Sequence, residues 1–118
     1  VLVAARPPLV AFNLELAPQA TLDDARRIAA LIREGGEEGL PGVRALGLPI
    51  RGGVAQVSAN VEDHEAMPLA RLLAAVERHA AVAEAELVGL VPRAALRGWP
   101  ERIPIRNLRT VERALGLE

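Results

Sequence analysis

"VAQVSANVEDHE" (Val54–Glu65) alternates and then turns acidic. Ala55, Val57, Ala59 and Val61 fall on one side of the alternation, and Gln56, Ser58 and Asn60 on the other. Successive side chains of an extended chain point to opposite faces, so this is a strand with one apolar face. Its second face is a row of short, uncharged hydrogen-bonding groups. Antiparallel sheets often leave one face to water. A solvated face is usually richer in charge than Gln-Ser-Asn, so the row reads equally as one wall of a site.

Upstream, "LVAFNLEL" (Leu9–Leu16) alternates in the same way. Val10, Phe12, Leu14 and Leu16 share one side, and Leu9, Ala11, Asn13 and Glu15 the other. "TLDDARRIAALIREGG" (Thr21–Gly36) predicts a helix. Thr21 is a good N-cap with Asp24 placed to complete a capping box, and Leu22, Ala25, Ile28, Ala29 and Ile32 form one stripe. Gly35-Gly36 supplies a left-handed stop, and Asp23–Arg27 is a favourable surface pair. "VRALGLPI" (Val43–Ile50) is a second strand, and "RGG" (Arg51–Gly53) a tight turn into the Val54 strand. Pro68 opens a second helix with Leu69, Leu72, Leu73 and Val76 buried. Val82–Leu90 is a fourth strand, and Pro92 opens a short helix through Leu96. Arg97–Asn107 is irregular, and Leu108–Gly116 predicts a closing helix.

The order β-α-β-β-α-β predicts an α+β, ferredoxin-like two-layer sandwich with an extra C-terminal helix. Both main helices cover one face of an antiparallel-rich sheet. Phe12, Leu14, Val57 and Ala59 belong beneath them; Asn13, Glu15, Gln56, Ser58 and Asn60 belong on the open face.

A chain of 118 residues suits one domain, residues 1–118. Half the residues are apolar and the net charge is −1, which gives no electrostatic footprint for nucleic acid or a membrane surface. An RNA-binding sheet would also need aromatics to stack bases, and this face has none. The chain has no cysteine, so disulfides and thiolate metal sites are excluded, in keeping with a cytoplasmic setting. All 14 strongly basic residues are arginine, which removes any lysine amine from the chemistry. The opening run is broken by Arg6, Pro7 and Pro8, so it reads as neither a signal peptide nor a membrane helix. It starts at Val1, as a piece of something longer does.

"LVAFNLEL", "GLPGVRALGL", "VAQVSANVEDHEAMPL" and "AELVGLVPRAAL", in that order, resemble the C-terminal subdomain of glutamate formimidoyltransferase. That family belongs to histidine degradation and one-carbon metabolism, and transfers a formimino group from N-formimino-glutamate to tetrahydrofolate. The resemblance spans about Ala5 to Leu96 and implies a folate-binding half of a cleft. The catalytic histidine belongs to an N-terminal subdomain absent from this chain, so no catalytic residue is assigned here. Tetrahydrofolate enters as a co-substrate, and no metal is implied.

On this basis Asn13, Gln56, Ser58 and Asn60 line the cleft and orient substrate by hydrogen bonds. Glu86 in "AELVGL" matches an acidic or amide position of the family motif, and His64 lies in the acidic loop. Both join the expected substrate and folate contacts. The bland reading of Glu62-Asp63-His64-Glu65 is a set of carboxylates gathered at a helix N-terminus. It has no metal-ligand spacing. His79 reads as a helix C-terminal cap, and Trp99 as a plug beside the core. After "VGLVP" the family's long helix gives way to "RGWPERIPIRN". The expected partners are the missing N-terminal subdomain, small-molecule substrates and a second copy of the chain. The alternative is a ferredoxin-like sensing or oligomerisation module that uses the same face without catalysis.

Overall fold

The computed structural model describes residues 9–108 and 110–116; the opening run Val1–Pro8, Arg109, Leu117 and Glu118 lie outside the described residues. The middle strand, β1 (Val10–Leu16), buries Val10, Phe12, Leu14 and Leu16 and leaves the residues between them half-buried. It pairs antiparallel with β3 (Ala55–Val61) on one side and β4 (Val82–Val88) on the other. β2 (Val43–Pro49) pairs antiparallel with β3, and β5 (Ile105–Arg106) runs parallel to β4. The sheet therefore reads β2-β3-β1-β4-β5. Its first four strands have the ferredoxin-like arrangement expected from the sequence. The fifth strand lies in the segment that reads as irregular.

α1 (Leu22–Ile32) and α2 (Leu69–Glu77) pack on one face. The capping box of α1 is complete: the Asp24 amide donates to Thr21 Oγ1 at 3.0 Å and the Thr21 amide to Asp24 Oδ2 at 2.8 Å. α1 buries Ala25, Ile28, Ala29 and Ile32; α2 buries Leu69, Leu72, Leu73, Ala75 and Val76. The first helix ends earlier than Gly35-Gly36 suggests. Arg33 is already extended, which lets the Glu34 amide donate to the Val43 carbonyl at 2.8 Å and tie the helix exit to the edge of β2. On its exposed surface Arg27 pairs with Asp24 at 3.3 Å, not with Asp23.

Gly47 sets how closely α1 approaches the sheet. A Cβ built on it would lie 2.4 Å from the Arg26 nitrogen and 2.6 Å from the Ala25 carbonyl carbon, both helix backbone. No side-chain rotation relieves such a contact. Trp99 plugs the far end of the core: its ring meets Phe12 edge-on at 6.5 Å, and its Nε1 donates to the Ile103 carbonyl at 2.9 Å. The closing helix is only one turn, α3 (Val111–Ala114), shorter than the sequence predicts. No helix among the described residues is long and apolar enough to cross a membrane.

Two outcomes test this packing. Gly47→Ala must push α1 off β2 and costs about 2–3 kcal/mol of unfolding free energy, read from urea denaturation. Arg102 donates to both oxygens of Glu77, one of them at 3.0 Å, and these hydrogen bonds hold the Glu77 carboxyl below its ordinary 4.5. A depressed carboxyl adds stability above its unfolded value and loses it as pH falls. Arg102→Leu should therefore flatten the drop in melting temperature between about pH 5 and about pH 3.

Candidate functional site

Strand register fixes what stands beside what on the open face. One row across the sheet is Leu48, Gln56, Glu15 and Glu84. The next is Leu46, Ser58, Asn13, Glu86 and Arg106. The third is Arg44, Asn60, Ala11 and Val88. Asn13, Gln56, Ser58, Asn60 and Glu86 thus share one surface, opposite the helices. The amide and hydroxyl groups occupy its centre. Leu46 and Leu48 flank them on the β2 side, and Val88 stands exposed at the far corner.

The β4 side carries charge. Glu15, Glu84 and Glu86 sit on adjacent strands, and three carboxylates in so small a space repel one another. The tail balances them. Arg106 reaches from β5 across β4, with Nε 3.0 Å from Glu84 Oε1 and Nη2 bonded to Glu15 Oε1. Glu86 is fixed from both sides: Asn13 Nδ2 donates to Oε1 at 3.2 Å, and Asn107 Nδ2 donates to Oε2 at 3.1 Å. Asn107 takes φ of 58° to do so, a left-handed conformation that asparagine tolerates. Burial, and then a hydrogen bond shared with Glu84, hold the Glu15 carboxyl above its ordinary 4.5 while Arg106 pulls it down.

Gln56 departs from a simple solvated row. It lies on the open face yet is only 7% exposed as a residue, and its amide atoms are not among the buried polar atoms without a partner. It lines a recess of about 390 Å³ with Glu15, Glu86, Arg106, Ile50 and Val54. A second recess, about 470 Å³, lies towards β2 and is lined by Ser58, Asn60, Leu46, Arg44 and Arg33 among others. Arg44 is loosely paired with Glu62 at 3.5 Å.

His64 stands apart from the face. It is 5% exposed, its Nδ1 has no partner, and it contributes to neither recess. The acidic loop serves the turn itself, with Asp63 Oδ1 accepting from the Glu65 and Ala66 amides at 3.0 and 3.2 Å. His79 bonds Glu38 through Nε2 at 2.9 Å and ties α2 to the loop after α1. Among the described residues no group of three His, Cys, Asp or Glu side chains is placed to hold a metal ion.

The residues that sequence reasoning passed over are Glu84, Arg106 and Asn107, together with Glu15 as a member of the cluster. Parity puts Glu15 on the open face, and Glu84 and Glu86 share one side of β4. The partner that joins them comes from β5, which has too few residues to show a pattern.

A search among curated proteins finds no match. A protein-family model, the formiminotransferase domain, matches residues 11–99. That span includes β1 apart from its first residue, β2 to β4, both packed helices and the open-face residues Asn13, Gln56, Ser58, Asn60 and Glu86, but not Arg106. Match and architecture agree, and the chain belongs to the formiminotransferase domain family.

Proposed function

We propose that this chain is the folate-binding, C-terminal half of a formimidoyltransferase. It would act in the cytoplasm in histidine degradation, passing a formimino group from N-formimino-glutamate to tetrahydrofolate. The observation that carries this reading is the open face itself. A member of a transferase family exposes, opposite its helices, a polar centre of Asn13, Ser58 and Asn60 flanked by exposed Leu46, Leu48 and Val88. Amides and hydroxyls orient a bound substrate by hydrogen bonds but are poor proton-transfer bases at neutral pH. The face is therefore one wall of a cleft. A second α/β unit supplies the other wall, with the general acid/base that protonates the departing glutamate nitrogen. The formimino carbon is positioned between that nitrogen and the accepting folate nitrogen. Gln56 and Glu86 complete the wall towards β4. His64 is buried and lines neither recess, so this reading does not count it among the substrate contacts.

Joined to a formimidoyltransferase N-terminal subdomain, the chain should release glutamate in a folate-dependent reaction. Asn60→Ala should lower kcat/KM about tenfold, the worth of one substrate hydrogen bond. No folate-dependent release, or an unchanged rate in the variant, refutes the reading and favours a non-catalytic sensing module. Alone, the exposed Leu46, Leu48 and Val88 should drive pairing with a second copy. Light scattering should show mass rising with concentration; a constant monomer mass counts against an unpartnered face.

A further inference from the structure

We draw no further inference here: the strongest candidate, the apolar recess of about 330 Å³ that exposed Leu90 and Leu108 form with Thr110, Arg113 and Ala114 beside the one-turn helix α3, carries nothing because no feature of the structure shows what covers it.

Discussion

The parity of β1 governs everything else in this molecule. It is hydrogen-bonded along both edges, to β3 and to β4, so its alternation is imposed on both neighbours at once. A slip of one residue between β1 and β3 would send Gln56, Ser58 and Asn60 beneath the helices and put Val57, Ala59 and Val61 in water. Each of those polar groups would lose its hydrogen bonds to solvent at a cost of about 1–3 kcal/mol, in addition to the lost burial of three aliphatic side chains. No competing register comes near that balance. The amide row stands on the open face because the apolar row opposite it cannot stand anywhere else.

The same lock explains why charge gathers where it does. With β4 bound to β1, Glu84 and Glu86 must emerge on the side of Glu15 and Asn13. Ala85 and Leu87, which alternate with them, are drawn into the core. The resulting acidic end is tolerable because each carboxylate has a local answer. Glu86 accepts from two amides, while Glu84 and Glu15 share a guanidinium. Among the described residues the buried side-chain polar atom that the fold leaves without a partner is His64 Nδ1, outside this acidic end.

Much of this was legible in the residues themselves. Period-two alternation in Val10–Leu16 and Ala55–Val61 gave both the strands and their buried faces. The Thr21 cap and the aliphatic stripes gave the helices. The burial of His64 was not legible, because a loop flanked by acids has no periodicity from which to tell inward from outward. Nor was the depth of Gln56. Parity says which face a side chain takes and not how deeply its neighbours cover it there. The early end of α1 escaped for a related reason. Gly35-Gly36 is a sound stop signal, but the bond from Glu34 to Val43 claims the chain before it arrives.

The tail closes off the acidic end of the face. The family match ends at residue 99, yet Arg106 and Asn107 lie beyond it and fasten onto carboxylates that lie within it. Without them Glu15, Glu84 and Glu86 would face one another with only Asn13 between, and the acidic end would attract any cation. With them, each carboxylate has a hydrogen-bonding partner in the chain. The charge balance at this end of the face is therefore set in part by a two-residue strand outside the matched region, while the sandwich beneath it is built from residues within that region.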